Sequence, residues 1–66
     1  MNAGNILYLV KEARKNKKDI GIININDEKI KLDSSERFEI VDSKTILYGD
    51  SIMFNVDYIY MIKIIY

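Results

Sequence analysis

The chain has no cysteine and no histidine. The first absence excludes disulfides and thiolate metal sites. The second removes the commonest metal ligand and the usual general base near neutral pH. Proline is missing too, and glycine is confined to Gly4, Gly21 and Gly49, which form no phosphate-cradling pattern. No stretch has the length and continuity of a signal peptide or a membrane span. Ile6–Val10 is too short, and the apolar run at the C-terminus is broken by Lys63. A soluble, cytoplasmic protein is the expectation.

What remains is apolar and β-branched. A chain of 66 residues supports one domain, residues 1–66. Its core is marginal, because so short a chain buries only about 60% of its unfolded surface. Domains of this size lean on disulfides, a metal or self-association, and the composition leaves self-association. Hydrophobic residues make up 48% of the chain, which favours an ordered domain over disorder. The prominence of isoleucine points to strands. Net charge is zero but segregated: residues 1–18 carry +4 and the remainder carries −4. A generic polyanion binder has a basic excess, so any nucleic-acid contact here would be local. The run of bases in residues 11–18 otherwise reads as a solvated helix end.

Helical periodicity predicts an amphipathic helix over residues 5–16. Ile6, Leu9, Val10 and Ala13 fall on one stripe, with Leu7 at its border and Tyr8, Lys11, Glu12 and Lys15 opposite. Asn2 or Asn5 can cap it, and the basic residues suit its C-terminal end. Residues 19–66 then read as a β-meander. Asp19–Ile25 has isoleucines on both faces, the mark of a well-covered strand. Asn26-Asp27-Glu28 makes a hairpin turn, and Lys29–Asp33 alternates with Ile30 and Leu32 inward. Ser34-Ser35-Glu36 is a bend, Arg37–Val41 is a strand, Asp42-Ser43-Lys44 a tight turn, and Thr45–Tyr48 a strand. Gly49-Asp50 makes the next turn, where glycine supplies a positive φ, before Ser51–Val56 and Ile59–Ile65.

The last strand, within Val56–Tyr66, is unusual. Tyr58, Tyr60, Ile62, Ile64 and Tyr66 alternate on one face, and Ile59, Met61, Lys63 and Ile65 on the other. An edge strand normally carries charge or proline against further pairing. This one carries a single lysine, so it is either covered on both faces or paired with another copy.

The order of elements resembles the Sm-like family (Hfq and the LSm proteins), an N-terminal helix followed by a strongly bent five-stranded antiparallel barrel of SH3-like type. The local likeness runs over Glu39–Leu47, a strand, polar turn and return strand, and over Ile52–Ile59, a fourth strand entering the fifth through one turn. Lys29–Val41 would be one long strand bent near Ser34. Asp57-Tyr58 stands where the family carries an arginine-glycine or lysine-histidine pair, and the glycine-rich second strand is absent. The resemblance implies assembly of copies through the fourth and fifth strands, with RNA approached at the turns holding Lys44 and Tyr58.

Catalytic readings find little. Ser43 beside Lys44 is the remaining nucleophile–base pair, and Asp33, Glu36, Glu39 and Asp42 read as exposed strand and turn positions. Asn24-x-Asn26-Asp27 lacks the glycine and closing glutamate of a calcium loop. A non-enzyme with no cofactor or metal is the expectation. Among Tyr8, Tyr48, Tyr58, Tyr60 and Tyr66, some rings cover the core and others are free to stack on bases. The first functional expectation is a homo-oligomeric module for RNA or a nucleotide-sized ligand, with Lys44, Asn55 and Tyr58 as ligand contacts. Its oligomer interface is Ile52, Phe54, Tyr60, Ile62, Ile64 and Tyr66. The second is a small inhibitor or adaptor of the phage or mobile-element kind, docking on a host protein by strand addition.

Overall fold

The structure, a computed structural model, describes every residue from Met1 to Tyr66. Asn2 opens it: its side chain accepts the Asn5 N–H at 3.1 Å, and the Asn5 side chain accepts the Asn2 N–H at 3.0 Å. This reciprocal cap starts helix α1 at Ala3 and carries it to Lys15, two residues earlier than the periodicity predicts. Ala3, Ile6, Val10 and Ala13 are buried, and Leu7 and Leu9 pack beside them.

The helix ends in a Schellman motif. Lys18 donates to the Ala13 carbonyl at 2.9 Å and Lys17 to Arg14 at 3.1 Å, with Lys17 at φ 56°. That left-handed position favours glycine, because an L side chain there costs about 1–2 kcal/mol. Lys17→Gly is therefore expected to stabilise the fold by about 0.5–1 kcal/mol, read as a melting point a few degrees higher.

Six strands follow: β1 (Asp19–Asn24), β2 (Lys29–Leu32), β3 (Phe38–Asp42), β4 (Thr45–Tyr48), β5 (Ile52–Asn55) and β6 (Ile59–Ile65). They form two three-stranded antiparallel sheets, ordered β2-β1-β6 and β3-β4-β5. The protein is mainly β with one helix, but the five strands are not closed into one barrel. The predicted long strand over 29–41 is divided, because Asp33–Arg37 turns and leaves β2 and β3 in different sheets. Helix α1 fastens this bend: Arg14 donates to the Ser34 carbonyl at 2.8 Å and the Glu36 carbonyl at 2.9 Å. The buried Ser34 hydroxyl donates to the Lys18 carbonyl. Part of the basic run at the helix end is thus structural as well as solvated.

Strand β1 is central to its sheet, as its sequence predicts, yet it is covered on one face only. Ile20 and Ile22 are buried, whereas Ile23 is half-buried and Ile25 exposed. The β1–β2 turn uses Asp27 at φ 65° where glycine would be usual. Asn24 steadies it by accepting the Asn26 and Glu28 N–H groups at 3.0 and 2.9 Å. Gly49 takes φ +66° in the β4–β5 turn, as predicted.

Between β5 and β6, Val56–Tyr58 makes one 3-10 turn, capped by the Asn55 side chain accepting the Asp57 N–H at 2.8 Å. β6 then returns to pair with β1. Across this ladder Ile23 faces Met61 and Asn24 faces Ile59, so Tyr60 is an extra residue, a β-bulge. The bulge resets the alternation. Ile59, Ile62 and Ile64 pack on the core, while Tyr60 turns out to 74% exposure. The expected face joining Tyr60 to Ile62 and Ile64 is therefore interrupted. Ile20, Ile22, Leu32, Phe38, Ile46 and Val56 complete the buried core with the four helical residues.

Candidate functional site

Two open sheet edges stand out. β6 ends one sheet and β5 the other, and no strand of the chain pairs with their outer sides. The bond from Asn24 N–H to the Glu28 carbonyl (3.0 Å) sets the ladder's phase. Even-numbered β1 residues bond to β2 and odd-numbered ones to β6. On β6 this turns the N–H groups of Lys63 and Ile65 inward, and those of Ile62 and Ile64 toward the open edge. Exposed apolar side chains flank both edges: Ile52 and Met53 on β5, and Tyr60, Met61 and Ile65 on β6, with Tyr66 just beyond. Of the six expected interface residues, Ile52, Tyr60 and Tyr66 are exposed, whereas Phe54, Ile62 and Ile64 also pack on the core.

The expected ligand contacts meet near the β3–β4 turn. Lys44 Nζ lies 3.1 Å from Asp57 Oδ1 and donates to the Met1 carbonyl at 3.0 Å, and the Lys44 carbonyl accepts the Val56 N–H at 2.8 Å. The Ser43 carbonyl accepts the Ala3 N–H at 2.8 Å. The turn is thus stapled to both the helix start and the 3-10 turn. Lys44 shares its charge with Asp57, and the Asn55 side-chain oxygen is engaged as a cap. Tyr58, 58% exposed, instead lines an apolar cleft of about 270 Å³ between the two sheets. Ile22, Ile30, Tyr48 and Ile52 are among its other walls. No helical residue lines this cleft.

Tyr48 is the one tyrosine that closes the core. Its ring packs on Phe38 with centroids 4.9 Å apart, and its hydroxyl accepts the Asp33 N–H at 2.9 Å, tying one sheet to the bend from the other. Tyr8, Tyr58, Tyr60 and Tyr66 are exposed. No group of three or more Asp or Glu side chains is placed to hold a metal ion, and no helix is long and apolar enough to cross a membrane.

Two carboxylates hold turns together. The Ser35 hydroxyl and N–H both donate to Asp33 (2.6 and 2.9 Å) and lower its pKa below the ordinary 3.8, assisted by nearby Lys31. The Lys44 N–H (2.9 Å), and then Thr45, do the same for Asp42. A carboxyl whose folded pKa is depressed adds stability above its unfolded value and loses it as pH falls through the folded value. The chain, with no histidine, is therefore expected to melt at a nearly constant temperature from pH 5.5 to 8 and at a falling one below about pH 4. Circular dichroism across that range checks this.

One grouping is missed by reading the sequence strand by strand. The two registers place Lys31, Gly21 and Lys63 in one row across β2, β1 and β6, and Lys29, Ile23 and Met61 in the next. The signal was present as lysines at 29, 31 and 63 and a glycine inside β1, but only the pairing brings them to one face. Comparison of the chain with protein-family models, with curated protein sequences and with solved structures finds no match.

Proposed function

We propose that the protein is a non-catalytic binding module that assembles with copies of itself, β5 of one copy pairing with β6 of the next, and that takes RNA or a nucleotide-sized ligand. The observation that carries this reading is the pair of open, apolar edges at β5 and β6. Pairing them would join the two kinds of three-stranded sheet into one six-stranded sheet and cover Met53, which is 63% exposed. It would also supply what a marginal core lacks. Negative design in monomers works the other way, with charges or proline along such an edge.

The element order supports the Sm-like likeness as part of the same proposal. A capped helix precedes β1, the Asp33–Arg37 bend separates β2 from β3, and a 3-10 turn leads into a final strand that returns to β1. On this reading the two sheets are the halves of a strongly bent barrel, with Tyr48 and the Asp33 bend at one corner. Exposed Tyr58 and Tyr60 offer rings for stacking on bases.

Sedimentation velocity combined with the ratio of absorbance at nucleic-acid and protein wavelengths tests the proposal. A species larger than one chain, with nucleic acid or nucleotide carried through purification, is the expected result. A monomer free of ligand would overturn it. A monomer that instead forms a stable one-to-one complex with another protein through β6 would support the adaptor reading.

A further inference from the structure

We infer that the outer face of sheet β2-β1-β6 binds the phosphate of a nucleotide unit, with Lys29, Lys31 and Lys63 as its cationic contacts and Ile23 and Ile65 as its apolar floor. The nucleotide class rests on the function proposed above; the anionic character rests on the face itself. Neighbouring strands lie about 4.8 Å apart. The backbones of Lys31 and Lys63 are therefore roughly 10 Å apart across Gly21, which has no side chain to fill the gap. Lys29 stands one row along on β2. The resulting groove has a volume of about 360 Å³, within the range that small-molecule sites occupy.

Charge selects the occupant. Residues 19–66 are net acidic, yet three of their five bases stand on this one face. Asp19 reaches Lys31 at 3.4 Å, and Asp33 also lies close to Lys31. Lys29 and Lys63 form no ion pair. Two ammonium groups thus remain uncompensated beside the groove, and lysine is a common point-charge partner of phosphate.

Gly21 has no positive φ, so its backbone does not require glycine. A glycine inside a strand weakens it and marks a close approach of other groups. Here a Cβ would stand 3.2 Å from Cγ1 and Cδ1 of Ile65. The missing side chain lets Ile65 lie across β1, which makes the floor between the lysines apolar. A base on that floor and its phosphate on the lysines would satisfy both halves of the groove.

Fluorescence anisotropy with a labelled oligouridylate, and calorimetry with uridine monophosphate and inorganic phosphate, test the inference on the full chain. The Lys29→Ala/Lys63→Ala double variant is expected to weaken binding at least about tenfold. It should also reduce the slope of log affinity against log salt by about two for the oligonucleotide. Lys11→Ala, on the exposed side of α1, should leave both unchanged. Binding of the mononucleotide as well as the oligonucleotide would identify free nucleotide as sufficient; binding of the oligonucleotide alone would identify a nucleotide within a strand. Retention of wild-type affinity by the folded double variant would overturn the inference, as would no binding of any of the three probes by the wild type at low salt. Native mass spectrometry of the same samples separates this outcome from the assembly proposal. A monomer whose binding depends on the lysines would keep the site and sink the assembly, and an oligomer that binds none of the probes would do the reverse.

Discussion

Ile20→Ala is expected to destabilise the fold by about 3–4 kcal/mol, within the range for truncating a buried isoleucine. Ile20 is fully buried in the central strand of its sheet, between Leu32 on β2 and Ile64 on β6. Removing its branched side chain opens a cavity where both neighbours meet it, and a central strand cannot move inward without breaking two ladders. At typical values per residue the whole chain holds only about 3–10 kcal/mol. The substitution therefore removes a large part of the total, and at low protein concentration most molecules should be unfolded at 37 °C. Urea denaturation followed by circular dichroism reads this directly. Ile25→Ala, at a position of the same strand region that is 59% exposed, should stay within about 0.5 kcal/mol of the wild type. Equal losses at the two positions would show that the inner face of β1 has been misplaced.

Met53→Lys is expected to leave the protomer folded and to weaken its assembly at least about tenfold, a change of about 1.4 kcal/mol or more. In one chain Met53 is exposed on β5, so its replacement removes no core contact. In a β5–β6 pairing the same side chain would lie beside the partner's strand, where a lysine must be desolvated or turned aside. Lysine on an edge strand is the device that monomeric sheets use to stay monomeric. The readout is the dissociation constant from sedimentation at a series of concentrations, with the melting curve as control. Because assembly adds to stability by mass action, the wild type should melt higher as concentration rises and the variant should show less of this dependence. An unchanged association constant in Met53→Lys would count against β5 as the partner edge.

Much of the architecture is legible in the order of the residues. The alternation of Lys29–Leu32, the glycine at the β4–β5 turn and the stripe of Ile6, Val10 and Ala13 each follow from a local period or a turn requirement. The features that are not legible depend on long-range register. The bulge at Tyr60 exists because β6 must follow β1 through the step at Ile23/Asn24, and nothing within 59–65 announces it. The division of 29–41 into two strands depends on Arg14 and Lys18 reaching the bend from the helix end. The partners of Lys44 are equally remote in sequence, with Asp57 beyond the next hairpin and Met1 at the opposite end of the chain. The lysine row is hidden for the same reason, since its members come from three strands and meet only when β6 returns to β1.

The central claim is that the open edge of β6 is occupied in the assembled protein, and amide hydrogen exchange at Ile62 and Ile64 tests it most directly. Those two N–H groups face away from β1, while those of Lys63 and Ile65 face it. In a free protomer the protection of β6 should therefore alternate, high at Lys63 and low at Ile62 and Ile64. The account predicts that all three are protected at high concentration and that protection of Ile62 and Ile64 falls on dilution. Fast exchange at Ile62 and Ile64 at every concentration, with Lys63 still protected, would contradict it.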